Sequence, residues 1–96
     1  MNNHAYVYIM TNKYHGTLYI GVTNNLERRI YEHKHHTFSK DFTAQHDLHT
    51  LVYYEETSSI ESAITREKNL KNWQRDWKIQ LIDKTNRTWR DLSEDF

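Results

Sequence analysis

Apolar positions alternate in two short runs near the start of the chain and then recur at helical spacing. Ala5-Tyr6-Val7-Tyr8-Ile9-Met10 is rich in β-branched and aromatic residues and predicts a strand, and Leu18-Tyr19-Ile20-Gly21-Val22 predicts a second. The polar stretch from Thr11 to Thr17, with Gly16 near its end, supplies turn chemistry, so the two strands are expected to form an antiparallel hairpin. Side chains alternate across a strand, which puts Val7, Ile9, Leu18, Ile20 and Val22 on one face and Tyr6, Tyr8, Tyr19 and Gly21 on the other. The first face is a plain core surface. The second is aromatic and hydroxyl-bearing, and the missing side chain at Gly21 lets another group approach the backbone. A half-buried tyrosine cluster with solvated phenols accounts for it equally well.

Asn24, as N-cap with Glu27 three residues on, opens a helix that runs to about His35. At 3.6 residues per turn, Leu26, Arg29, Ile30 and His33 share a sector of about 100°, whereas Arg28 points away. A third strand is expected at Leu51 to Glu55. Ser58 and Glu61 mark the next helix start, with an apolar stripe of Ile60, Ala63, Ile64 and Leu70. Glu67 falls inside that stripe, where a carboxylate must meet a cation, a metal or a hydrogen-bond donor, or else stay protonated. A last helix covers roughly Arg75 to Lys84, with Trp77 and Leu81 spaced i, i+4. Trp89 and Leu92 read as docking residues, and Asp91, Glu94 and Asp95 as a solvated end. Together these elements predict a small α/β sandwich, a three-stranded, mainly antiparallel sheet flanked by helices.

The length of 96 residues fits one domain, 1–96, with a radius of gyration of about 12–13 Å. The absence of cysteine excludes a disulfide framework, a thiolate zinc site and thiol catalysis, and suits a reducing cytoplasm. Runs such as Leu51-Val52-Tyr53-Tyr54 fall far short of a membrane span, and the N-terminus has no basic-then-apolar signal pattern. The expectation is a soluble, cytoplasmic protein. Its net charge of zero hides four blocks: +3 over 1–40, −5 over 41–61, +5 over 62–90 and −3 over 91–96. Folding could gather the two basic blocks into a footprint for a polyanion, although ordinary solvated faces explain the same charges.

Most familiar catalytic patterns are missing: there is no Gly-rich phosphate loop, nucleophile elbow or His-Glu-x-x-His run. The three histidines of His33-Lys34-His35-His36 do not share a helix face and make a poor metal site. Glu67, Arg29, His33 and the tyrosines of one sheet face remain. A buried ion pair between Glu67 and Arg29 would satisfy both side chains. The same residues also meet the needs of phosphodiester hydrolysis: a cation for the developing charge, an anionic metal ligand and a proton acceptor for water.

Tyr6-Val7-Tyr8, ten intervening residues and Tyr19-Ile20-Gly21 resemble the paired signature of the GIY-YIG nuclease superfamily. Asn25-Leu26-Glu27-Arg28-Arg29-Ile30-Tyr31-Glu32-His33 looks like its arginine-bearing helix, and Arg66-Glu67-Lys68 like its acidic helix. The resemblance covers about residues 5–92 and is nearest to the small single-domain bacterial branch. Related modules occur in the incision subunit of bacterial nucleotide excision repair and in phage homing endonucleases.

The resemblance implies a metal-dependent endonuclease that hydrolyses DNA phosphodiester bonds in repair or recombination. By position, Tyr8 and Tyr19 match the motif tyrosines, Arg29 the essential arginine, His33 the His-or-Tyr one turn later, and Glu67 the ligand of one Mg²⁺ or Mn²⁺. Gly21 would allow close packing around the site. Asn86 is the candidate for a later asparagine, with Asn69 and Asn72 as weaker options. Tyr6 stands where the family name has glycine, a change a strand tolerates. With no appended domain, specificity would come from a homodimer or a protein partner. Two other readings remain: a nucleic-acid-binding module without turnover, which keeps the basic blocks and tyrosines, and a structural adaptor built on a Glu67–Arg29 pair.

Overall fold

The two alternating runs pair with each other. In the computed structural model, which describes residues 4–35 and 48–96, β1 (Ala5–Thr11) and β2 (Leu18–Thr23) lie antiparallel. Val7 faces Val22, Ile9 faces Ile20 and Tyr8 faces Gly21. β3 (Thr50–Thr57) pairs antiparallel with the other side of β1, giving the order β2-β1-β3. The helices are α1 (Leu26–Lys34), α2 (Ile60–Asn72) and α3 (Arg75–Thr85), followed by a short 3-10 turn at Leu92–Asp95. The radius of gyration is 12.7 Å.

Each sheet face has its own core. Val7, Ile9 and Ile20 pack with Ala63 and Leu70 of α2 and Ile82 of α3. On the other face Tyr8 and Met10 pack with Leu26 and Ile30 of α1 and with Leu48 and Leu51. Alternation along β3 is broken by a bulge: Ile9 faces Tyr53 but Met10 faces Leu51, which leaves Val52 as the extra residue. Val52 and Tyr53 therefore both join the core under α2 and α3, while Tyr54 sits opposite Tyr8. Asn86, 5% exposed at the end of α3, holds this bulge. Its amide donates to the Val52 carbonyl at 3.0 Å and to the Arg90 carbonyl at 2.9 Å, and its oxygen accepts from Arg90 N at 3.2 Å.

Several local expectations shift. Asn25, not Asn24, caps α1 and accepts from Arg28 N at 3.1 Å, because the Thr23 hydroxyl already holds the Asn25 amide at 3.1 Å. Ser59, not Ser58, caps α2 and accepts from Ser62 N at 3.1 Å. The buried stripe of α2 is narrower than its apolar residues suggest: Ala63 and Leu70 are fully buried, while Ile60 and Ile64 are 40% and 41% exposed. On α3, Ile82 is buried and Trp77 is 51% exposed. Trp89 docks as expected and donates from its indole to Asp83 at 2.6 Å. His36 and the polar stretch up to residue 47 lie outside the described residues.

Asp91 is not part of a solvated end. Its carboxylate pairs with Lys34 of α1 and accepts from Leu51 N at 3.3 Å and from Ser93 N and Oγ at 3.1 and 2.7 Å. It thereby ties the C-terminal turn to α1 and to the start of β3. Burial pushes its carboxyl up, but Lys34, Ser93 and the two backbone amides outweigh that and hold it below the usual carboxylate range. A depressed folded-state pKa stabilises the fold above the unfolded value of about 3.9 and loses that effect as pH falls below it. Asp91→Asn should therefore lower stability at pH 7 by about 1–3 kcal/mol. Denaturant titrations should show the gap to wild type closing as the pH is lowered from about 4 toward 2.

Candidate active site

The tyrosine face of the hairpin meets one side of α1. β1 presents Tyr8, β2 presents Tyr19 and Gly21, and the helical period of α1 brings Arg29 and His33 over them, four residues apart on one face. The Tyr8 oxygen lies 2.9 Å from His33 Nε2, and both side chains are buried. Three rings form a triangle, with centroids 6.2 Å apart for Tyr8 and Tyr19, 5.7 Å for Tyr8 and His33, and 5.6 Å for Tyr19 and His33. Gly21 makes the packing possible. A β-carbon there would stand 2.5 Å from the Tyr8 oxygen and 3.0 Å from a Tyr19 ring carbon.

Arg29 is 22% exposed at its side chain, and its Nη1 lies 3.3 Å from Glu32 Oε1, three residues on. The Tyr8 phenol feels this guanidinium, but the larger effect is burial. Burial pushes the phenol well above its ordinary value and Tyr19 adds to the rise, while Arg29 pulls the other way without cancelling it. Tyr8 is therefore a neutral phenol at neutral pH, able to accept one hydrogen bond while donating another.

Glu67 comes from α2, which packs on the aliphatic face against β1 and β2. Its side chain is 20% exposed, and Oε2 lies 3.6 Å from Lys71 Nζ, one turn further along the helix. Glu67 thus belongs to the layer across the sheet from the Tyr8–Tyr19–Arg29–His33 cluster. Asn86 stands on that same side of the sheet and spends its amide on the β3 bulge and the Arg90 turn, apart from the tyrosine cluster. Asn69 and Asn72 are exposed on α2. His35 stacks on Tyr31 and does not join His33.

Residues 4–80 match the GIY-YIG catalytic domain. The chain belongs to the GIY-YIG family. The GIY-YIG family is one of nucleases, and the chain's three-stranded antiparallel sheet with helices on both faces is the family's kind of α/β fold. The chain is similar to a UPF0213 protein of Clostridium perfringens, 40% identical over 77 residues, or 80% of this chain and 81% of that one. It is also similar to a UPF0213 protein of Syntrophus aciditrophicus, 32% identical over 80 residues, or 83% and 88% of the two chains. Among solved structures, the solution NMR structure of a UPF0213 protein from Bacillus halodurans aligns with a TM-score of 0.52 and 29% identity over 86% of each chain.

The donor chemistry bears on a metal ion. Among the described residues no three His, Asp or Glu side chains gather to hold one. A single carboxylate such as Glu67 fits an ion of the Mg²⁺ type, which keeps most of its waters and takes further ligands from substrate phosphates. It does not fit a closed site of zinc type. No helix among the described residues is long and apolar enough to cross a membrane.

The alternating pattern missed Asp91, although Asp91 followed by Glu94 is a capping-box pattern. It also left Tyr54 without a role, because the face of a β3 residue depends on the bulge.

Gly21→Ala provides a test of the packing. The new methyl must displace the Tyr8 phenol, so the variant should lose about 1–3 kcal/mol of stability and the hydrogen bond to His33. NMR of the His33 ring nitrogens should show the loss, and an unchanged Nε2 resonance would contradict the geometry.

Proposed function

We propose that this chain is a metal-dependent DNA endonuclease whose active site is the Tyr8–Tyr19–Arg29–His33 cluster together with Glu67. The observation that carries the reading is the buried Tyr8–His33 hydrogen bond, packed over Gly21 beside the Arg29 guanidinium. Hydrolysis of a phosphodiester needs a proton acceptor next to a cation, and these side chains supply both.

Arg29 has the planar fork that binds two oxygens of the scissile phosphate, and its charge is directed at the oxygens that become more negative in the transition state. The water oxygen bonds to phosphorus as Tyr8 takes its proton and passes its own phenolic proton to Nε2 of His33, in the tautomer that accepts there. This relay avoids a free phenolate, which burial opposes. The bond from phosphorus to the leaving oxygen breaks, and that oxygen takes a proton from solvent. Tyr19 packs against both members of the relay and orients them. Glu67 would hold one Mg²⁺ or Mn²⁺, and the bound ion supplies positive charge at the phosphate and the leaving oxygen. To do so Glu67 must exchange its contact with Lys71, an i, i+4 helix pair whose lysine end is exposed and which is worth only a few tenths of a kcal/mol.

DNA in repair or recombination is the proposed substrate, acted on in the cytoplasm. The zero net charge gives weak, salt-sensitive intrinsic affinity, so a homodimer or protein partner supplies specificity. Cleavage assays on plasmid, flap and single-stranded DNA test this. Activity should require Mg²⁺ or Mn²⁺ and disappear in EDTA. Glu67→Ala and Arg29→Ala should each slow cleavage by about 10²-fold or more with unchanged melting. Full activity in either variant refutes its role. Binding without turnover by the wild type would favour the non-catalytic module instead.

A further inference from the structure

We propose that the cleft between the start of α1 and an aromatic corner of Tyr6, Tyr54 and Phe96 holds an unpaired nucleobase of the substrate strand. The proposal rests on the nuclease reading and names its substrate class, DNA with an unpaired nucleotide next to the cut.

The cleft encloses about 340 Å³, at the small end of ligand-sized pockets. Its aromatic wall is open to solvent: Tyr54 is 41% exposed and Phe96 49%. The rings meet edge to face, Tyr6 and Tyr54 at 6.5 Å and 65°, and Tyr54 and Phe96 at 6.2 Å and 69°. Tyr6 is fixed, since its hydroxyl donates to Glu56 at 3.3 Å and Glu56 is in turn paired with His4. Exposed rings of this kind offer a flat base a stacking surface.

The opposite wall is polar. Asn24, Asn25 and Glu27 line it, and among the described residues Glu27 is the only charged side chain of the lining. A phosphate would be repelled there, whereas the exocyclic amine of a neutral base could donate to the carboxylate. Asn25 commits its oxygen to Arg28 N at 3.1 Å and so presents its amide hydrogens as donors.

Position links the cleft to the chemistry. Tyr6 precedes Tyr8 by two residues on the same face of β1, a separation of about 7 Å. Leu26 lines the cleft and packs in the same cluster as Tyr8. A strand advances about 3.4 Å per stacked nucleotide, so a base over Tyr6 would lie about two nucleotides from a phosphate held beside Tyr8. To enter, the base must leave the stack, which is easiest where it is already unpaired.

The test uses the full chain and short single strands carrying the fluorescent base 2-aminopurine at successive positions, first in EDTA so that cleavage plays no part. One position should respond on binding. Tyr54→Ala should weaken binding about tenfold or more, Tyr54→Phe should retain it, and all three proteins should melt alike. An abasic site at the responding position should weaken wild-type binding by a similar factor, and Tyr54→Ala should then add nothing. Equal binding by wild type and Tyr54→Ala to base-containing and abasic strands overturns the subsite. A base-specific signal from a protein that cleaves nothing in Mg²⁺ or Mn²⁺ supports the subsite and refutes the nuclease reading. Cleavage that ignores both the abasic site and Tyr54→Ala overturns the subsite alone.

Discussion

The buried hydrogen bond between Tyr8 and His33 is the contact on which the arrangement of this molecule depends. It joins the central strand of the sheet to α1 across 25 residues of chain, and it exists only because the neighbouring strand has no side chain at Gly21. A phenol and an imidazole buried without partners would each cost about 1–3 kcal/mol. Paired, they satisfy one another, and the surrounding Leu26, Ile30, Met10 and Leu51 can pack without leaving a polar group exposed to apolar contact. The bond that organises this core is also the one that could move a proton.

Most of this was legible in the sequence because it follows from local periods. A two-residue alternation puts Tyr8 and Gly21 on one face whichever way the hairpin turns, and the 3.6-residue period puts Arg29 and His33 together above them. The features that escaped depend on side chains far apart in the chain. The β3 bulge is held by Asn86, 34 residues later, so neither the face of Tyr54 nor the structural use of Asn86 follows from alternation. The helix starts were ambiguous for a smaller reason: two capping residues stand side by side at Asn24-Asn25 and at Ser58-Ser59, and one hydrogen bond decides between them. Lys71 as the partner of Glu67 was open to inspection, since Glu followed by Lys four residues later is a favoured helix pair.

The charge blocks are used differently from a simple polyanion footprint. Lys34 from the first basic block pairs with Asp91 of the acidic end, Arg66 from the second pairs with Glu55 at 2.6 Å, and Arg90 pairs with Asp95 at 2.7 Å. Segregation along the sequence thus becomes pairing in space, fastening α1, α2 and the C-terminal turn. Arg66 also lies 5.2 Å above the Trp73 ring, which braces the end of α2. Arg29, which pairs with Glu32 on its own helix and lies beside Tyr8, is the cation proposed to meet the phosphate.

The central proposal is that Glu67 and Arg29, which come from opposite layers of the sheet, act on one phosphate. A crystal structure with Mn²⁺ and an uncleavable oligonucleotide, with the ion located by anomalous scattering, tests this most directly. The account predicts an ion bound to Glu67 and to an oxygen of a phosphate that Arg29 also contacts, within reach of Tyr8. An ion bound elsewhere, with Glu67 still on Lys71 and no phosphate at Arg29, would contradict it.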